Sequence, residues 1–211
     1  MKITKYLHSC LLIEEQGEVV LLDPGVYTYQ EKVFPLNSLK KLDSIGITHE
    51  HQDHMDINFI KDILSKFPKV SIFSNKSIKT ILAKEKINVI TTNNDIFSLQ
   101  DLPHEKLLSS FPPAPPNLGI TLFNKLLHVG DSLKFSKAPE ILALPIQAPW
   151  GSLVDAAERG AMAKPKYIIP IHDYHWKDDA RRQFYKWLIS FYQPQGITFL
   201  PVESGEAIEM E

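Results

Sequence analysis

Residues 48–56 read THEHQDHMD, and these nine positions hold three of the chain's eight histidines and two aspartates. The segment runs directly off DSIGIT (43–48), whose branched, apolar residues predict a strand. His49 and His51 lie two apart at the extended end of that strand, so their side chains project to one side. Asp53 and His54 follow where the chain turns. Asp56 is placed to cap a helix whose apolar face is Ile57, Phe59, Ile60, Ile63, Leu64 and Phe67, ended by Pro68. Strand, turn and helix therefore meet at a point crowded with electron-pair donors. Imidazole and carboxylate together suit zinc, iron or manganese better than calcium or magnesium. The competing reading, a polar loop with histidines by chance, fits poorly with a residue type this uncommon.

The segments around this point are mostly strands and helices in mixed order. ITKYLH (3–8), CLLIEE (10–15) and EVVLLD (18–23) predict strands, with a tight turn at Gln16-Gly17 and a stop at Asp23-Pro24-Gly25. KVSIFS predicts a strand, NKSIKTILAKEK a helix and NVITT a strand. HEKLLSSF reads as a further strand before the proline-rich loop PPAPPN, which forbids regular pairing. GITLFNKLLHVGD predicts a hairpin turning at Asn124-Lys125. EILALP and KYIIPIHD predict strands and SLVDAAERGAMA a helix. KDDARRQFYKWLISFY predicts another helix, with Phe184, Trp187, Leu188 and Phe191 as its apolar residues, and GITFL and EAIEM close the chain as strands. Hairpins followed by mixed strands and helices predict two sheets with helices outside them. No repeat or linker divides residues 1–211, so a single domain is expected.

Further histidines stand at or near predicted strand ends: His104 in LPHEKL, His128 in LHVGDS and His172 in PIHD. Each alone reads as an ordinary surface or core histidine. Beside HEHQDH they supply the separate loops that a two-metal site needs.

THEHQDH resembles the signature of the metallo-β-lactamase fold hydrolases, LHVGDS resembles their strand-end aspartate motif, and LHSCLLIE…VVLLDPG is similar to their first hairpins. The resemblance runs over nearly the whole chain. It is nearest to the branch containing the ascorbate-6-phosphate lactonase and phosphodiesterase-like members. It implies an α+β fold, a four-layer αβ/βα sandwich with metals at one edge. It also implies that His49, His51 and His104 hold one ion, that Asp53, His54 and His172 hold a second, and that Asp131 bridges both. Asp23 takes the place of an acid that orients a ligand or metal-bound water. PIHD is a weak motif alone, and His104 lacks the neighbouring glycine common in the family, so His128 competes with it. The place of His128 beside Gly130-Asp131 favours a supporting position behind the ligands. His8 reads as structural or as a support for a ligand. His175 lines a substrate pocket or faces water, and Trp150 in QAPWG forms a pocket wall or a buried anchor.

The resemblance implies two divalent ions, zinc first, with manganese or iron as alternatives. Two ions sharing a solvent molecule lower its pKa from about 15.7 toward 7, and the hydroxide attacks a small ester, lactone or phosphodiester. The leaving group's proton comes from Asp53, His128 or His175. Two alternatives use the same scaffold, a di-iron redox protein and a metal- or ligand-binding protein without catalysis. A net charge of −2 argues against nucleic acid and for a small-molecule substrate, although Lys164, Lys166, Arg181 and Arg182 could serve an anionic one. Cys10 is the one cysteine and reads as a core residue of a reducing compartment. The first sixteen residues lack a signal-peptide core and no run approaches a membrane span, so a cytoplasmic location is expected.

Overall fold

Each of two mixed six-stranded sheets carries its own helices and its own apolar core in the computed structural model, which describes residues 1–210. One compact unit comprises residues 1–94 with the C-terminal stretch from Glu203, and the other comprises residues 95–202.

In the first unit, β1 (Lys2–Tyr6), β2 (Cys10–Glu15) and β3 (Glu18–Leu22) form an antiparallel meander. The pairing Glu15↔Glu18 leaves a two-residue loop, and Gln16 and Gly17 both take positive φ, as a type I′ hairpin requires. The switch to parallel pairing comes next: β4 (Ser44–Gly46) lies beside β3, and β5 (Ser71–Phe73) lies beside β4. The crossovers carry α1 (Val26–Gln30) and α2 (Ile57–Lys66), and α3 (Lys76–Ala83) follows β5. Asp56 caps α2 by accepting from Phe59 N, and Asn75 caps α3 by accepting from Ile78 N. Phe59, Ile60 and Ile63 of α2 and Ile78 and Leu82 of α3 are buried with Ile45, Ile72 and Leu21 of the sheet. Cys10 sits in the same core, where burial pushes its thiol pKa far up. NVITT forms only an isolated bridge, Phe73↔Ile90, because Thr92, Asn93 and Asn94 turn out to solvent instead of extending the edge.

β12 (Ala207–Glu209) returns to pair with β1, so this sheet runs β12-β1-β2-β3-β4-β5.

The second unit begins with β6 (Phe97–Asp101), a strand not anticipated from the sequence. It pairs with β7 (Leu118–Leu122), which turns through Phe123 and Asn124, both at positive φ, into β8 (Leu126–His128). The loop is Phe123-Asn124-Lys125, which contains the expected Asn124-Lys125 turn and adds Phe123 before it. β9 (Ile141–Pro145), β10 (Tyr167–Ile171) and β11 (Thr198–Phe199) add in parallel, giving the order β11-β10-β9-β8-β7-β6. HEKLLSSF is not a strand. Its first backbone groups are taken elsewhere: Glu105 N donates to Asp131 O, and His104 O accepts from Lys134 Nζ.

α4 (Leu153–Ala163), capped by Ser152, and α5 (Asp178–Tyr192) bury one face each in the core of this unit. In α5 the buried residues are Tyr185, Leu188 and Tyr192, while Trp187 is 55% exposed. The tyrosines enter the core because their hydroxyls find buried acceptors there, Tyr185 on Asp173 and Tyr192 on Ala157 O. Among the described residues, no helix is long and apolar enough to cross a membrane.

Candidate metal centre

In the first unit the candidate residues gather at the ends of β1, β3 and β4. His8 follows β1 with φ of 49°, and Asp23 follows β3 with φ of 45°, both in the left-handed region that costs a non-glycine residue energy. Asp23 is fully buried and acts as an acceptor hub. Its Oδ1 accepts from Thr48 N at 2.8 Å; its Oδ2 accepts from Thr48 Oγ1 at 2.7 Å and from His54 Nδ1 at 2.6 Å. The proton therefore sits on Nδ1 of His54, which makes Nε2 the electron-pair donor. Asp53 Oδ2 stands 3.8 Å from that Nε2 and 3.0 Å from His8 Nε2. His49 Nε2 lies 3.1 Å from His51 Nδ1. Glu50, the acid within HEHQDH, is turned away and accepts from Ser77 Oγ.

The turn that carries these groups is held from below by Asp23-Pro24-Gly25. Val26 N donates to Gln52 O at 2.7 Å and Asp56 N to Pro24 O at 2.9 Å. A Cβ on Gly25 would fall 1.8 Å from the carbonyl oxygen of Asp53, so no side chain fits while the ligand turn keeps its place.

In the second unit Asp131 occupies the loop after β8, and 3% of it is exposed. Asn117 fixes that loop: its Oδ1 accepts from Asp131 N, and its Nδ2 donates to Leu102 O and Val129 O. His128 is fully buried in β8, and its Nδ1 accepts from Gly130 N at 3.2 Å, so it shapes the turn into Asp131. The carboxylate then faces two imidazoles. His104 Nε2 is 3.3 Å from Oδ2, and His172 Nε2 is 3.2 Å from Oδ1. Trp150 Nε1 donates to Oδ2 at 3.1 Å. His172 leaves β10 with φ of 66° and donates from Nδ1 to Gln147 O at 2.6 Å, while His104 donates from Nδ1 to Glu105 O at 2.7 Å. His175 is exposed, with its ring 5.6 Å from that of Tyr174.

These contacts define what can sit among them. With Nδ1–H committed to a carbonyl, a neutral His104 or His172 presents only a lone pair at Nε2. Each Nε2 faces a carboxylate oxygen, a spacing that either a proton on the ring or a metal cation can bridge. Ligands bonded at about 2.0–2.2 Å to a tetrahedral ion stand about 3.3 Å apart, close to the 3.2 and 3.3 Å at Asp131 and the 3.1 Å between His49 and His51. The donor set, imidazole nitrogen and carboxylate oxygen with the opposite ring nitrogens fixed, fits a divalent transition ion.

Sequence reasoning missed Thr48, Asn117 and the Gln147 carbonyl, which orient the candidates. Thr48 had a signal, since it stands immediately before His49 beside the strand that ends in Asp23. Asn117 and Gln147 had none, because their partners come from other loops.

A model of the beta-lactamase superfamily domain matches residues 2–108. A protein of Mycobacterium tuberculosis is 25% identical over 197 residues, covering 88% of this chain and 90% of the relative. A UPF0173 metal-dependent hydrolase of Flavobacterium johnsoniae is 36% identical over 90 residues, 42% of this chain and 38% of that one. The structure of a metallo hydrolase from Ignicoccus hospitalis superposes with a TM-score of 0.70 at 20% identity, over 100% of this chain and 99% of that one. The expected α+β class, two mixed sheets flanked by helices, is the class observed. With the match reaching across just over half of its 211 residues, from the first strand through the histidine turn to His104, the chain belongs to the beta-lactamase superfamily.

Proposed function

We propose that this protein is a metal-dependent hydrolase of a small ester, lactone or phosphodiester. The residues that would hold up to two divalent ions are His49, His51, Asp53 and His54 of the first unit and His104, His172 and Asp131 of the second, with Asp131 as the shared carboxylate. The observation that carries the reading is the Asp131 carboxylate, each oxygen of which faces Nε2 of a different histidine. The names of the Flavobacterium and Ignicoccus proteins, a metal-dependent hydrolase and a metallo hydrolase, support the same reaction class.

Divalent ions, if bound, would supply Lewis acidity and bring the pKa of water from about 15.7 toward 7, as zinc, manganese or iron can do. The chain's own residues do the rest. Asp131 would present one oxygen beside His104 and the other beside His172, and Asp23 fixes the tautomer of His54. Asp53 is our choice for moving the leaving-group proton: its side chain is 23% exposed, and His8 steadies it through Nε2. His128 is less suited, being fully buried and engaged with Gly130 N. A small-molecule substrate and a cytoplasmic location complete the reading, which places the lactonase-like branch first for substrate.

Elemental analysis of purified protein, before and after chelation, tests it together with a panel of lactones, phosphodiesters and esters. Up to two transition ions per chain and hydrolysis lost on chelation and regained on metal are expected. Asp131→Asn should lower turnover at least 100-fold and reduce the metal count. Iron with oxygen consumption and no hydrolysis would favour the di-iron alternative. Full metal with no turnover across the panel would favour a binding protein.

A further inference from the structure

The Trp150 indole donates to the Asp131 carboxylate and is not itself a candidate ligand. It comes off the end of β9 on a short turn closed by an Ala148↔Gly151 bridge, and Ser152 caps α4 immediately after it. The turn is thus pinned at both ends. The ring lies with its centroid 6.1 Å from that of His104 and 5.9 Å from that of His172, and Nε1 donates to Asp131 Oδ2 at 3.1 Å. An indole N–H is a donor only: it cannot ligate a metal, and it stays a donor across the whole working pH range.

We propose that Trp150 is a positioning residue that sets the torsion of the Asp131 carboxylate and so keeps it bridging. Resting on the two-ion reading above, the argument is geometric. A carboxylate on one rotatable bond can turn both oxygens toward a single cation. The indole holds Oδ2 on the side of His104, which leaves Oδ1 on the side of His172. Oδ2 then carries one donor and faces one imidazole, while Oδ1 faces the other. Without the N–H the carboxylate swings, and the ion on the His104 side loses more than the other.

Trp150→Phe keeps an aromatic ring and removes the donor. Stepwise binding of Co2+ or Zn2+ is read by competition with a chromophoric chelator, in wild type, Trp150→Phe and the distant control Trp187→Phe. The expected result is a loss of 10–100-fold in one of the two steps for Trp150→Phe, as for other groups that orient ligands. The control should match wild type, and the metal-free melts of all three should agree. In a 15N-indole spectrum of the wild-type protein, the Trp150 resonance should move on Asp131→Asn and on adding metal, more than those of Trp176 and Trp187. This second readout stands even if the Phe variant is destabilised. Wild-type binding steps in a folded Trp150→Phe, or an unmoved Trp150 resonance, would overturn the proposal and leave the hydrolase reading intact. Failure of the wild-type chain to bind either ion would instead remove the hydrolase reading itself.

Discussion

Gly25 shows how a residue with no side chain can govern a set of ligands. The absent Cβ is what allows Asp53 O to approach so closely that an added methyl would fall 1.8 Å from it. Gly25→Ala must therefore move backbone on one side, and the candidate ligands Asp53 and His54 ride on the side that yields. Backbone displacement of this kind belongs to the class of substitutions costing more than about 2 kcal/mol. The expected outcome is a lower melting temperature in chelator and, separately, a weaker metal affinity; a variant with wild-type values in both would show that the turn has slack. At this scale much of the candidate site could be read from residues close in sequence, because His49, His51, Asp53 and His54 share one turn. The His8–Asp53 and Trp150–Asp131 contacts could not be read in this way. Each joins residues on different loops, across 45 and 19 positions, and a single chain carries no local signal for such pairs.

At the scale of elements, α2 begins three residues after His54, so its N-terminus is also the end of the ligand turn. Asp56 serves both, its carboxylate accepting from Phe59 N and its own N–H donating to Pro24 O. Asp56→Ala removes the first bond and keeps the second. A cost of about 1 kcal/mol is expected from denaturant unfolding, with the midpoint lowered and the slope unchanged. A loss of metal affinity without that destabilisation would point to a direct role for the carboxylate. Elements were legible where periodicity and caps agreed, as in α2, α3 and α4, and where a two-residue turn joined strong strands, as at Gln16-Gly17. They were misread where tertiary partners decided. HEKLLSSF has strand-forming residues but spends its first backbone groups on the Asp131 loop and Lys134. β6 is a half-polar strand that gains its place by pairing with β7. In α5 two apolar stripes adjoin, and the buried one is chosen by tyrosine hydroxyls that reach Asp173 and Ala157 O, which periodicity alone does not encode.

At the scale of the whole molecule, the first unit holds both ends of the chain, joined where β12 pairs with β1 through Lys2↔Glu209. The second unit is therefore an insertion in the sequence of the first, and β12 cannot dock until residues 95–202 have been made. The candidate residues divide in the same way: His49, His51, Asp53 and His54 lie in the first unit and His104, Asp131 and His172 in the second. An ion that binds only the folded chain stabilises it by linkage. Linkage gives the size of the effect. At a free metal concentration 100 times Kd each ion adds about 2.7 kcal/mol, and a chain of this length gains about 2–4 °C per kcal/mol. Calorimetry of the chelated and metal-saturated protein should show one transition that moves up by roughly 5–10 °C for each ion bound. In Asp131→Asn the shift should shrink more than the metal-free melting temperature falls, since the substitution removes a ligand charge while keeping the side-chain volume. A melting temperature that saturating metal leaves unmoved would count against the metal-binding reading.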